Sequence, residues 1–549
     1  MHQTLHIEEL LCHIFAQITD PRTLFSLACT CQTFKDPALN ALYFQIDNFT
    51  PLIKCLPRDL WISVKYVLSH EELIFIRPMN PNDWNVFQTY ANRVKRLSYL
   101  AFSKAIRPDV LDSLLSQLAP MGIMFPKLQA LNWDDGRVDA AKVFRLLLGS
   151  PLVDFSIGNF KDNSYTPDFF PCLLPPSVKS LDLGIGRADH VVASHLICQA
   201  YGLERLRCSV LTQDDMLHLA TLPSLRTLEV QDLVTSSQSK RRNCLDGRPA
   251  FQNLQSLSIC SDSLLECFNL IHAIQQEHTT PLVHLFAAQH MPPTDVSPAA
   301  ASKLLEILSS IYTTSTLSRI FIDVRPRDGG RLHLPPISID VIAHLFVFRN
   351  LTVLDLEFAN AFMLDDDDLT RMARAWPNLL ELRLGEVGHW KMEKRITFAG
   401  FYSLIELCSN LRELSLSIDA TVGLSRLIQP RNRSRNMKLR ELWFYDSPIQ
   451  NPAQVAVFVS DILPNVKFIY ASYGPLTPQT VEYEKKWKET VRLLKFFALA
   501  RKQERLRCGY LDDDEMLDPF AGEGSSSGSS SSSEMQVDDD DADEEDWNN

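Results

Sequence analysis

A short leucine pattern returns so often along this chain that it dictates the class of fold. Asn410–Leu416 reads NLRELSL, an LxxLxL motif whose last part alternates apolar and polar residues as a half-buried strand does. The same form starts at Pro126 (PKLQALNW), Pro176 (PSVKSLDL), Pro223 (PSLRTLEV), Gln252 (QNLQSLSI), Arg349 (RNLTVLDL), Pro377 (PNLLELRL) and Pro464 (PNVKFIYA), with looser copies between. The first apolar positions are Leu128, Leu152, Val178, Leu203, Leu225, Leu254, Leu282, Leu317, Leu351, Leu379, Leu411, Leu439 and Val466. Their spacing runs from 22 to 35 residues, the period of a solenoid. One unit buries too little apolar surface to offset the entropy of ordering it, so each must share its buried faces with its neighbours.

Between anchors there is room for one helix. Leu264–Ile274, Ala299–Ile311, Phe398–Cys408 and Ala453–Leu463 carry apolar residues three and four apart. Ser297-Pro298 and Asn451-Pro452 read as an N-cap followed by proline at the first helical position. Each unit is therefore strand, turn, helix and return. This arrangement resembles the leucine-rich-repeat family, and its irregular repeat length resembles the ribonuclease-inhibitor-like branch found in ubiquitin-ligase receptors. The resemblance implies an α/β fold: a right-handed horseshoe with a parallel sheet on the concave face.

Charge and cysteine usage narrow the function. The net charge of −13 over 549 residues is concentrated at one end, because residues 511–549 hold fifteen acidic and no basic residues. The remainder carries 52 acidic against 54 basic residues, without the clustered positive charge that nucleic-acid binding needs. Twelve scattered cysteines form no CxxC pair, which argues against a zinc site and for a reducing compartment. The start MHQTLHIEEL is acidic where a signal peptide is basic, and no apolar run is long enough to span a membrane. Cytoplasm or nucleus is the expected location.

The N-terminal segment is not a repeat. Ile7, Leu10, Leu11, Ile14, Phe15 and Ile18 fall on one helical face, and Asp20-Pro21 and Asp36-Pro37 each read as the end of one helix and the cap of the next. Three short helices are predicted within about forty residues. The segment resembles an F-box through Leu5, Ile14, Phe15, Asp20, Pro21, Leu24, Leu27, Cys31, Phe34, Leu39 and Leu42, with His6 where the family usually has proline and Tyr43 where it often has tryptophan. The family docks on the Skp-type adaptor of SCF ubiquitin ligases, which links it to a cullin. By resemblance, the adaptor contacts fall among Leu5, Ile7, Leu10, Leu11, Ile14, Phe15, Leu24, Leu27 and Tyr43, some of which must instead hold the helices together. Further on, FIRPMNPNDWNVFQTYANRV from Phe75 resembles the segment after the F-box in the expanded F-box sets of mushroom-forming (basidiomycete) fungi.

The expected organisation is an F-box at 1–48, a junction at 49–92, repeats at 93–476, a capping helix at 477–510 and a disordered serine-rich, acidic tail at 511–549. In the junction, Asn82 or Asp83 is positioned to cap a helix carrying Trp84, Phe87 and Tyr90. The polar insertion at 235–248 contains Lys240-Arg241-Arg242, more plausibly solvated than a nuclear signal.

Strand alternation places Arg205, Arg207, Asp355, Glu357, Glu381, Arg383, Glu413, Ser415, Glu441, Trp443, Tyr445, Phe468 and Tyr470 on the concave face. Trp443, Tyr445, Phe468 and Tyr470 then make an aromatic cluster suited to capturing a protein substrate, unless the C-terminal segment folds over it. Arg205, Arg207 and Arg383 join them as candidate substrate contacts. Catalytic patterns fail: Gly524–Gly528 spells GxSxG inside the serine tract, Asp365–Asp368 reads as a helix cap rather than a metal site, and the histidines are too dispersed. No catalytic residue, metal or cofactor is expected. The leading expectation is a non-enzymatic substrate receptor of an SCF-type ligase. The alternative is a protein-binding scaffold whose F-box-like cap does not engage the adaptor.

Overall fold

The computed structural model describes residues 7–65, 71–100, 110–111, 114, 124–134, 149, 151–158, 174–184, 190–234, 250–275, 281–289, 297–312, 316–324, 334–385, 394–422, 424, 434–471 and 477–507. Leu5, the basic insertion, the GxSxG string and the acidic tail lie outside them.

The strands are β1 (Gln45–Ile46), β2 (Trp61–Lys65), β3 (Glu71–Phe75), β4 (Arg96–Leu100), β5 (Ala130–Asp134), β6 (Asp154–Gly158), β7 (Ser180–Gly184) and β8 (Arg205–Thr212). They continue as β9 (Thr227–Val234), β10 (Ser256–Ser261), β11 (His284–Gln289), β12 (Arg319–Val324), β13 (Val353–Phe358), β14 (Glu381–Leu384), β15 (Glu413–Ser415), β16 (Glu441–Trp443) and β17 (Phe468–Tyr470). Fifteen of them form one sheet, in the order β1, then β4 through β17 in sequence. Every neighbouring pair in it is parallel. Strand after strand added in chain order is the topology of a leucine-rich-repeat solenoid.

The anchors explain why the sheet forms. Every one from Leu128 to Leu439 is buried, and Val466, in the last repeat, is half-buried. Helices Leu264–Gln275, Pro298–Ile311, Phe398–Leu407 and Pro452–Ile462 fall within a residue of their expected limits. Ser297 accepts from the Ala300 amide and Asn451 from the Gln454 amide, so both serine and asparagine act as the expected caps. Asp365 likewise caps helix Asp366–Ala375. Its neighbour Asp366 reaches the next repeat, accepting from the Thr397 amide and hydroxyl, each at 2.7 Å.

The sheet begins before residue 93. Because β1 pairs with β4, the stretch between them is an excursion from the sheet that returns to it. It holds a short helix, Thr50–Ile53, the antiparallel hairpin β2–β3, and helix Pro81–Ala91, whose Trp84 and Phe87 enter the same core as the repeats. The cap of that last helix is Asn80, two residues ahead of the nearer position read from sequence. Pro81 fits the first helical position, and Asp83 completes the capping box from inside the helix.

The chain divides into two compact units, Met1–Phe497 and Ala498–Asn549. The part of helix Pro478–Arg507 up to Phe497 supplies the end of the first. Trp487 is buried there, donating its indole N–H to the Ser447 carbonyl at 2.9 Å and stacking on Phe444 at 4.9 Å. Phe444 points into the core, so this contact packs the helix onto the core at the next-to-last repeat.

Candidate functional surfaces

The first candidate surface lies on three helices, α1 (Glu8–Ala16), α2 (Pro21–Ala28) and α3 (Gln32–Leu42). Asp20 caps α2 as expected, accepting from the Arg22 and Thr23 amides, and the hydrogen bond from the Thr23 hydroxyl, with those amides, holds its carboxyl below the usual range. Asp36-Pro37 does not break the chain: Pro37 lies inside α3. A proline there forfeits a backbone bond. Phe34, Ala38, Ala41 and Leu42 nevertheless repeat at helical spacing across it and pack on the small core of these helices. Tertiary packing outweighs the local signal.

That small core consists of Leu11, Phe15, Leu24 and Ala38, with Ile18, Leu27, Ala28, Phe34, Ala41 and Leu42 packed around it, and it is separate from the core of the sheet. Leu42 touches both. Arg93, which follows helix Pro81–Ala91, also binds Asp36 at 2.6 Å and Asn40, fastening α3 to the body.

The apolar stripe of α1 is thereby split. Leu11 and Phe15 face inward, whereas Ile7, Leu10 and Ile14 are 45%, 43% and 50% exposed. On α2, Phe25 is 60% exposed, a residue the motif reading passed over. Leu11, Phe15 and Leu24 are buried in internal packing and are corrected out of the contact set for that reason, while Leu27 is half-buried against the same core. Tyr43 is corrected too. It is buried in the larger core, with its hydroxyl 2.8 Å from the Cys55 sulfur and its ring 5.1 Å from Tyr90. The apolar surface that remains is Ile7, Leu10, Ile14 and Phe25.

The second candidate surface is the sheet face turned away from the helices. Strand register aligns one row across it: Asp182, Arg207, Glu229, Ser258, Phe286, Phe321, Asp355, Arg383, Ser415, Trp443 and Tyr470. Toward its start the charges cancel locally. Arg205 binds Asp154 at 3.1 Å, and Arg207 lies between Glu229 at 3.1 Å and Asp182 at 3.9 Å. Both arginines stay more than half exposed, so these pairs are weak and the groups remain accessible. Arg383 bridges Asp355, at 3.6 Å, and Glu413.

Three of the four expected aromatics come together. Trp443 and Tyr470 stack at 3.9 Å between ring centres, and Phe468 continues the stack at 5.9 Å. Phe468 is 48% exposed. The C-terminal helix packs Trp487 on Phe444, which faces the core, while Trp443 and Tyr470 on the other face are half-buried. Tyr445 is off the strand, in a turn with φ 42°, so the alternation that assigned it to this face no longer applies. Asp355 and Glu357, expected to face solvent, are buried, and Asp355 has the side chains of Phe321 and Arg383 as register neighbours. A second stack, Phe286 on Phe321 at 4.4 Å, was not anticipated, although both occupy the outward position of an apolar-x-apolar strand.

No family model matches the chain, and no curated protein matches it. Among solved structures it is similar to the complex of Rad7 and Elc1 in yeast, with a TM-score of 0.36 and 14% identity over 68% of this chain and 87% of that one. It is also similar to a leucine-rich-repeat protein of Leptospira interrogans, with a TM-score of 0.32 and 13% identity over 80% of this chain and 86% of that one. Neither likeness is strong enough to transfer a function.

Proposed function

We propose that this protein is a non-catalytic substrate receptor of an SCF-type ubiquitin ligase. The F-box-like helices α1–α3 grip a Skp-type adaptor and, through it, a cullin. The open face of the sheet holds a target protein. Ubiquitin transfer belongs to other subunits, and the receptor contributes proximity, converting an encounter into a reaction within one assembly. Among the described residues the cysteines form no disulfide, which suits the cytoplasm or nucleus, where cysteines stay reduced.

The observation that carries the reading is the divided stripe of α1. A helix that only capped the repeats has no use for three large aliphatic side chains kept in water beside an exposed phenylalanine. Ile7, Leu10, Ile14 and Phe25 together suit burial against a partner. The rival reading, a repeat scaffold that engages no adaptor, leaves this patch unexplained.

A pull-down separates the two. Full-length protein should retain the Skp-type adaptor, and Ile14→Asp with Phe25→Asp should lose it while keeping the wild-type melting temperature. A wild-type protein that fails to retain the adaptor favours the scaffold.

A further inference from the structure

The open face is not electrically uniform. Glu381, Glu413 and Glu441 are register partners on β14, β15 and β16, so three glutamates stand side by side at strand spacing, about 4.8 Å. Asp355 on β13 is buried and pairs with Arg383. Among the described residues of these strands, Arg383 is the cation on this face, and it is already shared between Asp355 and Glu413. Burial, and then the charge of Glu413, push the Glu441 carboxyl above its usual range. Among the described residues of these strands, Glu381, Glu413 and Glu441 carry more negative charge than Arg383 neutralises.

It also runs directly into the aromatic stack. The register partner of Glu441 on β17 is Phe468, and that of Trp443 is Tyr470. The Trp443 side chain also hydrogen-bonds Glu441. Stacked ring faces edged by carboxylates form an environment for one type of side chain in particular. A guanidinium is planar, lies flat on aromatic rings and directs its N–H groups sideways to carboxylates, whereas an ammonium does only part of this. A neutral segment gains nothing from the ladder, and an acidic one is repelled by it.

We propose that the Trp443–Tyr470–Phe468 shelf docks an arginine-bearing segment of the captured protein, the guanidinium lying over the rings with Glu441 and Glu381 supplying its counter-charge. This rests on the receptor reading and names the chemistry its cargo presents.

The test uses the full chain and a fluorescein-labelled Gly-Arg-Gly-Arg-Gly peptide, with its citrulline counterpart, followed by anisotropy at 0.15 M salt. Two variants read the shelf: Trp443→Ala, and Glu381→Gln with Glu441→Gln, which is isosteric and leaves the Arg383–Glu413 pair in place. The arginine peptide should bind, the citrulline peptide should bind at least fivefold more weakly, and each variant should lose about fivefold or more in affinity for the arginine peptide. Equal binding of the two peptides overturns the proposal. So does wild-type affinity in the glutamine variant, which would assign the binding to the acidic tail common to all the proteins. Adaptor retention by the same samples keeps the two readings distinct. Peptide binding without adaptor retention preserves the shelf and removes the ligase, and the reverse removes the shelf alone.

Discussion

Leu11 and Ile14 sit three residues apart on α1, yet truncating them should have consequences of very different size. Leu11 is fully buried in a core of four side chains, where Leu→Ala costs about 2–5 kcal/mol and little neighbouring mass is available to refill the space. Ile14 is 50% exposed, so its truncation forfeits about half of the ~1.5–3 kcal/mol that full burial of such a side chain provides. Alanine's better helix propensity returns a few tenths of a kcal/mol, leaving a net cost of about 1 kcal/mol or less. Because the core of α1–α3 is separate from that of the sheet, the loss should appear as local opening. Native-state hydrogen exchange reads this amide by amide. Leu11→Ala should speed exchange in α1 and α3 by about 30-fold to several thousand-fold, at about 1.4 kcal/mol per factor of ten, and Ile14→Ala by about fivefold or less. Protection of β8–β15 should be unchanged in both. Equal acceleration by the two variants would refute the division of the α1 stripe into an inner and an outer edge.

Two further substitutions test the repeats. A Cβ on Gly400 would lie 2.7 Å from the Asp366 Cα, and backbone cannot give way there without disturbing the bonds from Thr397 to Asp366. Gly400→Ala should therefore destabilise by about 1–3 kcal/mol in urea unfolding despite its helical setting; a more stable variant would mean that the two repeats approach less tightly. Glu441 has a raised carboxyl pKa in the folded protein, so between its ordinary value of 4.5 and that raised value the folded state holds the extra proton and stability falls as pH rises. Glu441→Gln should thus be more stable than wild type at pH 7, with the difference closing as pH falls toward 4.5; a less stable variant at pH 7 would contradict the crowding of the ladder.

The repeat was legible because its signal is redundant. A leucine recurring at a fixed offset before an alternating strand names the inward position each time, and Leu128 through Leu439 are buried for that reason. Caps such as Ser297 and Asn451 were legible too, since the chemistry of a helix N-terminus is local. What escaped depends on distant chain. Asp36-Pro37 carries a strong local break signal, but the packing of Phe34, Ala38 and Leu42 holds the helix through it. Alternation assigned Trp443 and Tyr470 to one face, but which glutamate stands beside which ring depends on register between strands joined by loops of unequal length. The broad stripe of α1 likewise named a face without naming which edge of it turns outward, so Leu11 and Phe15 were grouped with Ile14, and Phe25 was missed. β1 escaped because two residues carry no period at all.

The central claim is that two separate surfaces serve two partners, and the hydrogen-exchange footprint of a Skp-type adaptor on the full-length protein tests it most directly. Slowed exchange confined to α1 and α2, around Ile7 to Ala28, with β14–β17 unchanged, is the predicted result. Protection of the sheet strands, or no protection anywhere at saturating adaptor, would contradict it.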